Sequence, residues 1–284
     1  MTGERSIVVT GASTAIAAAC TLHLDKLGFR VFAGVRKSDD GDGLRRKASA
    51  RLTPVIIDVT DCDLIAAAAE RVGATVGKSG LAGLVNNAGI AIAGPLEFLP
   101  LKELRKQIEV NVIGQVAVTQ SFLPLLRHGK GRIVNIGSSL RQLSTLFLGA
   151  YCASKFALEA LTDALHMELQ PWGIKVSIVD PGNTATPIWG KSKAVANKII
   201  GNLPVQAHEL YGSVLTAVQR AAEREARTAI PPDGVARAGT HALTAARPNT
   251  RYFVGSDSKM QAAIARLLPD RLWDRLILGH MGLK

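Results

Sequence analysis

Cysteine is scarce in this chain: Cys20, Cys62 and Cys152 are the only three among 284 residues. The number is odd and no pair has Cys-x-x-Cys spacing. This excludes a disulfide framework and points to reduced thiols. No His/Cys cluster has zinc-ligand spacing, so no metal centre is expected. Aromatic residues are only 5% and are not interleaved with the basic ones. That argues against a nucleic-acid partner, although the formal charge is +11; a polyanionic small molecule or ordinary surface charge explains the excess more simply. No uncharged apolar run approaches the ~18 residues that a spanning helix needs. The opening segment, 1–7, is polar and runs straight into a strand, leaving no room for a signal peptide, so a cytoplasmic location is expected. Hydrophobic residues at 47% against 20% charged exclude a disordered chain.

What is present is an alternation. Short β-branched or apolar runs at Ser6–Thr10, Arg30–Val35, Leu52–Asp58, Leu81–Val85, Arg132–Ile136, Ile174–Val179 and Arg251–Val254 read as strands. Between them, helical spacing appears at Ala15–Leu27, within 38–50, at Asp61–Val76, at Leu101–Arg127 with a break at Pro124, and at Tyr151–Gln170. This order predicts an α/β fold: a doubly wound parallel sheet of about seven strands with helices on both faces, in one domain over 1–260. Residues 184–230, mixed helical and polar, are the expected mobile substrate lid. Residues 261–284 form an amphipathic tail interrupted at Pro269. Packing on its own domain is its simplest role; a subunit or a membrane surface is the alternative.

Two ends of the pattern carry chemistry. The loop Thr10–Ala17 joins the first strand to the first helix, where backbone N–H groups and a helix N-terminus can face a pyrophosphate; an ordinary β–α turn is the plainer reading. The second strand ends Ala33-Gly34-Val35-Arg36-Lys37, with no acid to hold ribose hydroxyls. Arg36 can instead pair bidentately with a 2′-phosphate, favouring NADP over NAD, unless the turn is merely solvated and basic. Asp58 could accept from an adenine amino group or cap the following segment. At the other end, Tyr151 and Lys155 are spaced i, i+4 on one helix face. A neighbouring ammonium favours phenolate and makes tyrosine a usable acid/base; two unrelated surface residues are the alternative. Ser138, thirteen residues before Tyr151, follows the fifth strand, and Asn111 lies in the long helix before it.

This ordered set resembles the short-chain dehydrogenase/reductase family over roughly 6–255. Its pieces are TGASTAIA (10–17), Asp58, NNAG (86–89), Asn111, Ser138, YCASK (151–155) and PGNTAT (181–186). The resemblance implies a Rossmann-type sheet and NADP(H)-dependent interconversion of an alcohol and a carbonyl, with NAD(H) second. It makes Tyr151 the proton-transfer residue. Lys155 lowers the phenol's pKa and binds ribose, Ser138 holds the substrate oxygen, and Asn111 keeps a relay water. Gly11, Ser13, Thr14, Ala15 and Ile16 take the phosphates, Arg36 and Lys37 the 2′-phosphate, and Asp58 and Val59 the adenine. Asn87, Ala88 and Gly89 line the cofactor; Pro181, Gly182, Thr184 and Thr186 meet its carboxamide and phosphate region. Residues 231–255 and the AGVR at the second strand resemble the retinoid and steroid branch. The substrate is then apolar, touching Ser138, Tyr151, Ile188 and Trp189. A homodimer or homotetramer through 101–127 and 151–170 is implied too.

The chain departs from the family loop TGxxxGxG at two positions, Ala15 and Ala17. Alanine adds a methyl at each, and strain wherever φ is positive. A loss of about 1–3 kcal/mol there would weaken cofactor binding ~10–100-fold. This motivates the alternative of a non-catalytic NADP(H)-binding sensor or weakened pseudoenzyme. The presence of Asn111, Ser138, Tyr151 and Lys155 together favours a working enzyme.

Overall fold

The computed structural model describes residues 5–283. Seven strands make one sheet: β1 (Ser6–Val9), β2 (Arg30–Val35), β3 (Leu52–Ile56), β4 (Gly83–Asn86), β5 (Arg132–Ile136), β6 (Lys175–Pro181) and β7 (Arg251–Val254). All neighbours pair in parallel, in the order β3-β2-β1-β4-β5-β6-β7. The helices are α1 (Ala15–Lys26), α2 (Ser38–Arg45), α3 (Cys62–Val76), α4 (Leu101–Ile108), α5 (Gly114–His128), α6 (Gly149–Glu168), α7 (Pro187–Gly201), α8 (Val205–Arg227), α9 (Asp233–Thr244), α10 (Ser256–Leu267) and α11 (Asp270–His280). The fold is thus the doubly wound sheet expected from the alternation.

The strands read as continuous apolar runs because both their faces are covered. On one face Val8, Phe32, Leu84 and Ile133 pack with Ile65 and Val72 of α3, Val118 and Phe122 of α5, and Leu165 of α6. On the other, Ile7, Val31, Val85 and Val134 meet Ala17 and Leu24 of α1 and Val235 and Leu243 of α9. Strand order reverses between β1 and β4, so the carboxyl ends of those strands open the crevice where such sheets bind ligands.

Several boundaries differ from expectation for local reasons. β3 stops at Ile56 because Asp58 turns the chain: its Oδ1 accepts from the Thr60 N–H at 3.0 Å and the Thr60 hydroxyl at 2.8 Å. Asp61, two residues on, caps α3. Pro124 lies inside an unbroken α5. The interruption falls earlier, at Glu109–Ile113, where five residues form a π turn between α4 and α5. The 184–230 segment is mostly two helices, α7 and α8. The tail folds back on its own domain: Trp273 Nε1 donates to the Ser144 carbonyl at 3.1 Å, and Arg224 donates to that of His280 at 2.9 Å. The side chains of Ile264, Arg266 and Leu267 lie outside the described residues. No described helix is long and apolar enough to cross a membrane.

Candidate active site

The β1–α1 loop is built for close approach. Gly11 has φ +65°, and a Cβ there would lie 3.0 Å from Ala88 Cα. Thr10 ties this loop to the one after β4: its hydroxyl accepts the N–H of Asn87 at 3.0 Å and of Ala88 at 3.1 Å. The α1 N-cap, Thr14, makes no side-chain bond, and the first turn carries no acid. The positive end of α1 therefore keeps its N–H groups for an anion. Ser13, Thr14 and Ile16 are half-buried around it. Ala15 has φ +43°, a left-handed conformation that glycine adopts freely and alanine adopts under strain. Ala17 is buried in α1.

Arg36 and Lys37 stand exposed just beyond β2. Burial raises the Asp58 carboxyl, but the Thr60 bonds and the Arg36 charge outweigh it, holding the group below its ordinary value. Asp58 is thus a turn residue that also faces Arg36. Val59 beside it is buried against Gly114.

Ser138, Tyr151 and Lys155 converge at the carboxyl end of β5. Each is buried. Ser138 caps a short turn, its Oγ accepting the Leu140 N–H at 3.2 Å. Its hydroxyl also hydrogen-bonds the Tyr151 phenol. One helical turn on, the Lys155 ammonium lies 5.8 Å from the Tyr151 ring centroid and donates to the Ile136 carbonyl at 2.8 Å. Burial pushes the Tyr151 phenol up to about 12, with the Ser138 bond opposing it; it pulls Lys155 down to about 8, with the Asp180 carboxylate opposing it. Burial is the largest influence on the phenol and outweighs the Ser138 bond, so the group stands above its ordinary value.

The π turn presents Asn111 inward. Its Oδ1 accepts the Ile90 N–H at 2.9 Å, and its Nδ2 donates to the Ile90 carbonyl and the Ser154 hydroxyl, each at 3.0 Å. Asn111 thus holds the segment after Gly89 against α6; its bonds go to Ile90 and Ser154. Gly89 lies against Asn111. After β6, Pro181 is buried, and a Cβ on Gly182 would collide with the Asp257 carboxylate. Thr184 donates to the Gly182 carbonyl at 3.1 Å. The Thr186 hydroxyl is buried with no hydrogen-bond partner among the described residues. Ile188 is half-buried in the first turn of α7, whereas the side chain of Trp189 lies outside the described residues. Nearby, the Tyr211 ring meets Phe98 at 6.0 Å and Phe147 at 5.9 Å, both edge-to-face.

Several contributors were not singled out from the sequence. Thr10 is one. Gln107, fully buried, accepts the Ile92 N–H and donates to the Ile90 carbonyl. Asn86, Thr119, Asn135 and Thr162 form a buried polar ladder across β4 and β5. Asp180, Arg141 and Glu159 form a buried ionic group beneath Ser138. A polar residue inside an otherwise apolar strand, as at Asn86, Asn135 and Asp180, was the available signal.

These residues suit an anionic dinucleotide. An uncapped helix N-terminus, a left-handed glycine, two exposed cations and an orphaned buried hydroxyl together fit its phosphates and carboxamide. Comparison with known proteins agrees. A family profile described as short chain dehydrogenase matches residues 5–196. An NADPH-dependent 3-dehydrocapnine reductase from Ornithobacterium rhinotracheale is 36% identical over 278 residues, 96% of this chain and 95% of that protein. Human retinol dehydrogenase 5 is 37% identical over 277 residues, covering 95% and 87%. The crystal structure of a short chain dehydrogenase from Burkholderia cenocepacia in complex with NADP superposes with a TM-score of 0.73 at 25% identity, covering 96% and 98%.

Proposed function

Because this chain belongs to the short-chain dehydrogenase family, an oxidoreductase working between alcohol and carbonyl with a nicotinamide cofactor, we propose that it is an NADP(H)-dependent carbonyl reductase with Tyr151 as its acid. The observation that carries this reading is the convergence of Ser138, Tyr151 and Lys155 at one strand end. A phenol pushed up to about 12 keeps its proton at neutral pH, which suits reduction. The Ser138 hydroxyl holds the carbonyl oxygen, and Tyr151 delivers its proton to that oxygen. The phenolate left behind is stabilised by the Ser138 bond and the Lys155 ammonium. A nicotinamide cofactor held by the β1–α1 loop and the segments after β4 and β6 would, when bound, provide hydride-transfer chemistry at this site. Asn111 acts through Ile90 and Ser154, fixing the floor on which Lys155 stands.

Arg36 and Lys37 support NADP(H) over NAD(H), since nothing acidic ends β2. The NADPH-dependent relative and the NADP-bound neighbour support the same choice. An apolar substrate is supported by Ile92, Leu99, Ile199 and Leu203 packed beside the site and by the Phe98, Phe147 and Tyr211 rings. A sensor or weakened pseudoenzyme has no use for an aligned Ser–Tyr–Lys group, so the working enzyme is preferred.

The test is Tyr151→Phe, with NADPH consumption followed against aliphatic, aromatic, retinoid and steroid carbonyls. Turnover should fall at least ~10³-fold while NADPH binding, read by calorimetry, stays within ~3-fold. Undiminished turnover would refute the role given to Tyr151.

A further inference from the structure

Beneath the reacting groups lies a set of buried charges that the proton transfer does not itself use. Asp180, the β6 residue before Pro181, is fully buried. Its Oδ1 accepts the Ser138 backbone N–H at 3.2 Å. Its Oδ2 meets Arg141 Nε at 3.0 Å, and Arg141 reaches Glu159 Oε1 at 2.9 Å. Glu159 also takes Arg251 Nε at 2.6 Å, and Arg251 pairs with Asp163. The Phe253 ring closes over Arg141 at 5.1 Å.

The Asp180 carboxylate also feels the charge of Lys155. Its ammonium sits on the Ile136 carbonyl. The next residue is Gly137, where a Cβ would collide with the Asp180 carboxylate. The missing side chain therefore leaves the lane that the carboxylate occupies, beside the strand end that anchors the ammonium. Neither charge is tolerated in a dry interior without an opposite one. Lys155, Arg141 and Arg251 balance Asp180, Glu159 and Asp163.

Building on the reaction proposed above, we infer that Asp180 is a positioning residue of the site: clamped by Arg141, it fixes the Ser138 backbone and supplies the counter-charge for the Lys155 ammonium. The groups facing Asp180 are Tyr151, Lys155 and Glu159 from α6 and Arg141 from the turn after Ser138. Among them, burial and Glu159 drive the carboxyl toward its neutral form, whereas Arg141 and Lys155 hold it charged. For Lys155 the roles reverse: burial discharges it and Asp180 opposes that. Arg141 therefore acts on the ammonium through Asp180.

The test reads the lysine directly. Protein carrying ¹³Cε-labelled lysine is titrated by NMR as wild type, as Asp180→Asn and as Arg141→Gln, with Lys155→Met identifying the signal. Asparagine keeps an oxygen acceptor for the Ser138 N–H and removes only the charge. In both variants the Lys155 midpoint should fall by about one pH unit or more. The alkaline limb of carbonyl reduction should move the same way. A purely structural role would lower the rate and leave the midpoint where it was. An unmoved midpoint in a folded Asp180→Asn overturns the inference; so does failure of both variants to fold, which would make the network a determinant of the fold alone. The titration does not depend on turnover. An active Tyr151→Phe would therefore sink the reaction assignment without moving this result, and an unmoved Lys155 would leave that assignment standing.

Discussion

Ala15 and Ala17 stand two residues apart where the family places glycine, yet the structure assigns them opposite responses to reversion. Ala15 sits at φ +43°. An L-residue pays about 1–2 kcal/mol for a left-handed conformation, and Ala15→Gly removes that cost. Glycine returns about 0.4–1 kcal/mol of freedom to the unfolded chain. The net expectation is a gain of up to about 1.6 kcal/mol, or at most about 3 °C in Tm for a chain of this length. Ala17 is instead helical and fully buried. Ala17→Gly loses helix propensity worth about 0.5–1 kcal/mol and a buried methyl worth about 0.8 kcal/mol, so it should lower Tm by several degrees. The assay is thermal unfolding of the two single variants beside the wild type, with NADPH titrated into each by calorimetry. Ala15→Gly should also tighten NADPH by ~3–10-fold, because the backbone there can then relax toward the pyrophosphate. If Ala15→Gly destabilises as much as Ala17→Gly, the strain assigned to Ala15 does not exist.

Further outcomes follow from the same geometry. Arg36→Ala should weaken NADPH ~10–100-fold and NADH by less than ~3-fold in parallel titrations, since only the former loses a charged partner; equal losses would contradict the 2′-phosphate role. Carbonyl reduction should decline as pH rises through about 8, because Lys155 gives up the charge that stabilises the Tyr151 phenolate, and rates from pH 6 to 10 at saturating NADPH would reveal it. Gly137→Ala should cost about 1–3 kcal/mol in chemical denaturation, because the new methyl meets the Asp180 carboxylate and the Ile178 side chain.

The sheet was legible because buried parallel strands are short apolar runs set off by helices; β2, β5 and β7 fell where the runs do. Less legible were features fixed by pairing at a distance. Pro124 looked like a helix break, but the helix absorbs it, and the interruption is a π turn from which Asn111 bonds inward to Ile90 and Ser154. Nothing in the local sequence around 109–113 announces those partners. The Tyr151–Lys155 spacing placed both groups on one helix face, but the balance between charge attraction and desolvation depends on burial, which spacing alone does not report. The ionic group of Asp180, Arg141 and Glu159 joins residues up to 39 positions apart, and only the fold brings them into register. The strain at Ala15 was foreseeable only as a condition, that φ be positive; the backbone supplies the sign.

The π turn sets a limit on how this chain can vary in length. Between Ile108 and Gly114 the backbone is wound more widely than the α-helices on either side of it. Removing a single residue there would restore ordinary pitch, because a π turn takes up one residue more than an α turn, and would leave the helix downstream in nearly its present phase. Phe122 and Leu126, seated on the sheet, would keep their places. What the shortened turn would lose is the widened backbone from which Asn111 reaches Ile90 and Ser154, so the extra residue serves that asparagine and not the core of α5.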